Sequence, residues 1–343
     1  MPNDVHTNGP DLLSLGNVKR IDPSNGFLIH KYGMNDKRSI KELTYLIQQD
    51  AVPNFTLVYL PDNDRPVHNK GPNTLKGLKK LDKQLQNLLN VFPTWEDALS
   101  EITWVMIGDS AQSAMVKDKN SALLKLKDLL SDFQIAKIGD IKETNEIVFT
   151  PNERMAYIYA LQDHIQLTDI KDRLFKDDRM DFVAWKEQDT IHVASPHKAE
   201  ELTFKKGGPY TDEYQQTWEL QGDFSVLDLT VKNDGTIEYG NYPDGLARLY
   251  GAINSQEGRF LIAEAKPGHE FKGEGTATHD GGGAHGSIHK KDSVAPILIT
   301  GTDQLPQHYR IVDLKNWVLQ LLLGQGDRNG VPPSNEESKS TPN

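Results

Sequence analysis

Two short stretches of this chain hold side chains able to grip a cation. One is Tyr59-Leu-Pro-Asp-Asn-Asp-Arg-Pro-Val-His68-Asn-Lys-Gly-Pro72, and the other is Thr278-His-Asp-Gly-Gly-Gly-Ala-His-Gly-Ser-Ile-His289. In the first, a rigid proline-bearing turn could present the carboxylate of Asp64 and the imidazole of His68 to one ion. Polar residues also collect in turns for solvation alone, so this pair by itself leaves both readings open. In the second, the glycines let the backbone come close to a ligand, and His279, His285 and His289 offer neutral imidazole nitrogens suited to zinc. A flexible loop that merely contains histidines is the competing reading. No Gly-Lys-Ser or Gly-Lys-Thr follows the glycines, so the run is not a Walker phosphate loop. No Glu stands beside His285, so the zinc-protease helix pattern fails as well.

The elements that must position these groups read as follows. In open parallel sheets ligands gather beyond the carboxyl ends of strands, so acids placed directly after buried strands carry weight. The segment 55–60, short, β-branched and aromatic between Pro53 and Pro61, is expected as a strand buried on both faces, with Asp62 and Asp64 at its end. Leu75, Leu78, Leu81, Leu85, Leu88 and Leu89 mark an amphipathic helix that stops before Pro93. Residues 104–107 form a second buried-strand candidate, closed by Asp109, and 121–133 its helix. Short strand-like runs at 181–185 and 190–194, with a turn at Asn233-Asp-Gly235, give residues 151–245 the character of an α+β insertion or cap. Strands are expected again at 260–263 and 294–300, then a helix over 310–323 stopped by Gly324. The expected organisation is an irregular N-terminal segment over 1–40 with one short strand at 26–30. After it come the first part of an α/β core over 41–150, the cap over 151–245, the second part of the core over 246–324 and a disordered tail over 325–343. Trp185, Trp218 and Trp317 are expected in the packing rather than at a ligand.

The stretch from Leu57 to Leu89, with Pro61-Asp62, Asp64, His68, Gly71-Pro72 and then a helix carrying Asp82-Lys-Gln-Leu85, resembles a zinc-binding segment of a known family. The family is the type I phosphodiesterase/nucleotide pyrophosphatase branch of the alkaline phosphatase superfamily. Residues 104–112 are similar to its later strand ending in Asp-His-Gly. Gly283-Ala-His285-Gly-Ser, ahead of the apolar run to Ile299, is similar to its final His-Gly. Order and spacing agree over residues 55–323. The resemblance implies an α/β fold with an alkaline-phosphatase-like, mostly parallel sheet flanked by helices and incomplete at the N-terminus. It places Asp64, His68 and His285 on a first metal and Asp109 on a second. The metal would be zinc, with Mn or Mg as alternatives, and the reaction hydrolysis of a small phosphate ester. Asp280 would orient His279 or His285 from behind.

The chain departs from the family at two places. Asp109-Ser110-Ala111 stands where Asp-His-Gly is expected, and a hydroxyl is a poor zinc ligand. Residues 1–50 also lack a buried strand followed by a Thr- or Ser-bearing helix, where the family keeps its nucleophile. The departures imply a truncated chain with impaired catalysis.

Composition bounds the rest. The chain has 343 residues, a net charge of −11 and no cysteine. That balance opposes wholesale attraction to a nucleic acid duplex or an anionic membrane, and it leaves cation binding to nitrogen and oxygen donors. No run approaches the ~20 apolar residues of a membrane span, and the polar start lacks the features of a signal peptide. As written the chain is expected in the cytoplasm, and a parent with a preceding signal outside it. Three readings remain: a metal-dependent phosphoesterase, an inactive remnant that binds metal with a phosphorylated ligand or partner protein, and an unrelated α/β domain whose loop scavenges metal. The third requires Asp64 and His285 to lie far apart.

Overall fold

A computed structural model describes residues 10, 12–15, 19, 21–22, 24 and 34–324. The strand expected at 26–30 and the tail over 325–343 lie outside these residues. The fold is mixed α/β. Its body is a nine-stranded sheet. Across the sheet the strands run Leu229–Val231, Thr236–Tyr239, Leu202–Asp212, Thr190–Ala194, Met180–Glu187, Arg259–Ala265, Met155–Ala160 and Ile147–Asn152, and Thr217–Gly222 pairs with Leu202–Asp212.

Side chains alternate across this sheet into two cores. Phe182, Ala184, Phe260 and Ile262 enter one, together with Leu246, Leu249 and Ile253 of the helix Gly245–Asn254. Val183, Trp185, Leu261 and Ala263 enter the other, with Ile170 and Leu174 of the helix Leu167–Leu174 and with Leu124, Leu126 and Leu130. Both faces of the central strands are therefore dry, and each large apolar side chain buried there stabilises the fold by about 1.5–3 kcal/mol. Trp185, Trp218 and Trp317 are buried as expected.

The expectation of a mostly parallel sheet is overturned. Every pairing in this sheet is antiparallel except Thr236–Tyr239 with Leu202–Asp212. Short hairpin turns after Ile147–Asn152, Met180–Glu187, Leu202–Asp212 and Leu229–Val231 return the chain antiparallel, whereas burial on both faces produces the continuous apolar runs that read as parallel strands. The expected boundary at 245/246 fails for the same reason, because Arg259–Ala265 sits between Met180–Glu187 and Met155–Ala160. Residues 151–245 thus belong to the main sheet and are not a cap.

The segments expected to form the parallel core are peripheral. Trp104–Ile107 pairs antiparallel with Ile297–Thr300 in a two-stranded ribbon, and Val105, Met106 and Ile107 are exposed. Residues 55–60 form no strand, since Phe55, Leu57 and Tyr59 face solvent while Val58 and Leu60 pack beside Ile40 and Leu43. Ile40 and Leu43 lie on the helix Asp36–Gln48, which begins inside the segment expected to be irregular and is capped by the Asn35 side chain. The helix expected at 121–133 is interrupted. Asp118 caps a single turn at Lys119–Ala122, and Leu123–Lys125 then pairs in parallel with Glu270–Lys272. Helices at Lys76–Leu89 and Ile311–Leu323 form as expected, the second closed by Gly324 with φ 71°.

Candidate metal centre

Asp64 and His68 occupy one face of the short helix Asp64–Lys70, at the i,i+4 spacing that brings helical neighbours together. Asp64 Oδ1 lies 3.0 Å from His68 Nε2. Asp64 sits in the first turn, where a carboxylate suits the helix dipole and where Pro66 is tolerated. The glycine loop packs directly against this helix. A Cβ on Gly282 would stand 1.7 Å from the His68 carbonyl oxygen, and one on Gly283 would stand 2.6 Å from Gln112 Oε1. Only glycine permits so close an approach. It puts the Gly283 carbonyl 2.8 Å from His68 Nδ1. A carbonyl can only accept, so Nδ1 carries the proton and the free lone pair of neutral His68 is at Nε2.

The same loop delivers His285. Asp64, His68 and His285 each contribute a ligand atom, and these atoms lie within 4.8 Å of one another. The far separation required by the unrelated-domain reading does not occur. A second group, His68, Glu153 and His279, shares His68 with the first. Glu153 was not foreseen from the sequence. It lies in the hairpin turn between Ile147–Asn152 and Met155–Ala160, in a left-handed conformation with φ 55°. Glu153 Oε1 stands 3.7 Å from His68 Nε2 and 3.7 Å from His285 Nε2. Its other oxygen, Oε2, accepts the His285 backbone N–H at 2.8 Å.

The turn is pinned by its next residue. Arg154 is fully buried, pairs with Asp292 at 2.5 Å, and donates to Ser113 Oγ and to the Ala265 carbonyl. Its backbone N–H donates to the His285 carbonyl at 3.1 Å, and the Phe271 N–H donates to the Glu153 carbonyl at 2.7 Å. These bonds fix the loop and the hairpin against each other, which sustains a left-handed backbone costing about 1–2 kcal/mol.

The His279 ring lies against that of His68, with centroids 4.2 Å apart and planes tilted by 33°. Behind it, fully buried Glu270 takes the His279 backbone N–H at 2.6 Å and lies 2.9 Å from its Nδ1. That hydrogen bond raises the His279 pKa above the ordinary imidazole value, against the opposing effect of burial. A carboxylate behind a histidine is the usual support for a metal-facing ring. Glu270 fills the role expected of Asp280, which is exposed.

Two expected participants stand elsewhere. Asp109 is exposed and accepts its neighbour's N–H at Ser110, and among the described residues it joins no convergent group of His, Asp and Glu. It follows the strand Trp104–Ile107 of the two-stranded ribbon. His289 caps the turn Lys290–Ser293 by accepting the Lys291 N–H, and burial together with nearby Arg154 pushes its pKa down to about 4.

No family model, no curated protein and no solved structure matches the chain. The donor set therefore stands on its own chemistry. Zinc bonded at about 2.0–2.1 Å in a tetrahedron separates its ligand atoms by about 3.3 Å. The spacings of 3.0, 3.7 and 3.7 Å around His68 and Glu153 bracket that edge. Imidazole-rich sites suit Zn better than Mg or Mn, which prefer oxygen ligands in octahedral geometry.

Proposed function

We propose that this protein is a metal-dependent phosphoesterase acting on a small phosphorylated molecule, with Asp64, His68 and His285 seating a divalent cation, zinc by preference. The observation that carries the reading is the convergence of these three side chains from distant parts of the chain. The phosphoester part of the reading comes from the sequence resemblance over residues 57–89, 104–112 and 283–299. A cation bound there would polarise a phosphoryl oxygen and bring a bound water towards ionisation near neutral pH. The chain's own part is orientation. Gly283 sets the tautomer of His68, the Arg154 anchor sets the loop bearing His285, and Asp64, with a side chain 56% exposed, leaves the site open towards solvent.

A second reading is a metal-binding remnant without turnover, which holds a phosphorylated ligand or partner. The exposed position of Asp109 and the serine at 110 favour it, since both fall where the resemblance puts a second cation. Metal analysis with assays on an aryl phosphate monoester and an aryl phosphodiester, repeated for His68→Ala and His285→Ala, separates the two. Turnover that needs added Zn or Mn and disappears in both variants supports the enzyme. Stoichiometric metal with no turnover on either ester selects the remnant, and absence of bound metal sinks both.

A further inference from the structure

We infer that Glu153 is a ligand to the cation at this site, and that it contributes more to cation affinity than Asp64 does. The inference rests on the reading that Asp64, His68 and His285 bind a cation, and it adds a residue that the sequence resemblance does not supply.

Glu153 Oε1 is 3.7 Å from the Nε2 atoms of both His68 and His285, so the carboxylate faces the same point as the two lone pairs. Its partner oxygen is already held by the His285 N–H, which fixes the carboxylate plane and leaves Oε1 directed at the histidines. Oxygen and nitrogen at this spacing, with His68 Nδ1 tied to a carbonyl, form the edge of a tetrahedron around an ion.

Pre-organisation separates the two acids. The Glu153 side chain is 16% exposed, and its turn is locked by the buried Arg154–Asp292 pair. Asp64 is 56% exposed on a helix of seven residues and meets the site through one oxygen contact with His68. A ligand already held in place loses less conformational freedom on binding, so its contribution to affinity is larger. Asp64, at the solvent side, is then the ligand placed to give way when a substrate oxygen arrives.

The test is titration of the metal-free full chain with Zn²⁺ against a chelating indicator, with Co²⁺ absorption as a second readout of coordination. Glu153→Gln keeps an oxygen for the His285 N–H, so the turn should survive. Glu274→Gln, at an exposed acid beyond the cluster, serves as control. Loss of an outer-sphere partner weakens metal sites by about 10–100-fold, so loss of a ligand should weaken Zn²⁺ binding by about 100-fold or more in Glu153→Gln. Asp64→Asn should lose less, Glu274→Gln nothing, and the Co²⁺ spectrum should change in Glu153→Gln. Wild-type affinity and spectrum in Glu153→Gln, with binding lost in His68→Ala and His285→Ala, would overturn this inference and leave the metal site standing. Glu153-dependent binding without hydrolysis would instead overturn the enzymatic reading alone. A wild-type chain that binds neither ion would overturn both.

Discussion

His68 Nδ1 lies 2.8 Å from the carbonyl oxygen of Gly283, a residue 215 positions further along the chain. One bond of this kind ties the helix that begins at Asp64 to the loop that carries His285, and it decides which ring nitrogen of His68 is free to bind. The proposed site depends on this closure, and the closure depends on glycine.

Gly282→Ala therefore should damage the site more than its small volume suggests. The added Cβ would fall 1.7 Å from the His68 carbonyl oxygen, which is backbone and cannot rotate away. Separation of the loop from the helix should cost about 1–3 kcal/mol of stability and most of the Zn²⁺ affinity. Gly251→Ala is the matched control. It lies within the helix Gly245–Asn254 with nothing inside 4 Å of a built Cβ, so it should gain about 0.5–1 kcal/mol. Chemical denaturation of the three proteins, side by side with Zn²⁺ titration, checks both.

The Arg154–Asp292 pair should behave as a sealed ion pair. Both side chains are essentially without solvent contact, so removing one charge strands the other. Asp292→Asn is expected to lower stability by about 3–5 kcal/mol. It should also weaken Zn²⁺ binding, because Arg154 anchors the turn that presents Glu153. A urea midpoint within error of wild type would refute the structural role.

Glu264 gives a pH signature. Burial pushes its carboxyl up to about 8 from an ordinary value of 4.5, against the pull of the Ser287 hydroxyl and of Arg154. Between those values the native state keeps a proton that the unfolded chain releases. Stability from this group is thus complete below about pH 4.5, declines as pH rises, and levels off above about 8. Glu264→Gln should match wild type at about pH 4.5 and melt higher than wild type at about pH 8.5. Parallel melting curves across that range would contradict the assignment.

His289 acts on the acid side. Its pKa of about 4 lies below the ordinary 6.5, with burial as the main cause, so the unfolded chain protonates first as pH falls. Its contribution is present above about pH 6.5 and is lost on the way down to about 4. His289→Asn retains an acceptor for the Lys291 N–H, and its melting temperature should fall less than that of wild type between about pH 6.5 and 4.

What was legible in the sequence was local. An Asp and a His four residues apart in a segment read as a proline-bearing turn, a histidine after a run of glycines, and leucines at period 3.6 were read from neighbouring residues; the structure makes the turn a short helix and gathers Asp64, His68 and His285. Glu153 and Glu270 carry no such signal. One is an acid in a hairpin turn and the other an acid in a short strand, and only pairing across the fold shows what each faces. The topology misled for a physical reason as well. Strands such as Met180–Glu187 and Arg259–Ala265 are apolar on both faces because helices cover both, a pattern shared with parallel sheets even though these two pair antiparallel. Residues 55–60 have strand composition, but the structure gives them no strand pairing, and composition alone does not supply a partner.

The most direct measurement is anomalous diffraction at the zinc edge from crystals of the full chain grown with Zn²⁺. The account expects one strong peak at about 2.0–2.2 Å from His68 Nε2 and His285 Nε2, with a carboxylate oxygen at similar range. A peak seated away from these histidines, or a site left vacant at saturating Zn²⁺, would contradict it.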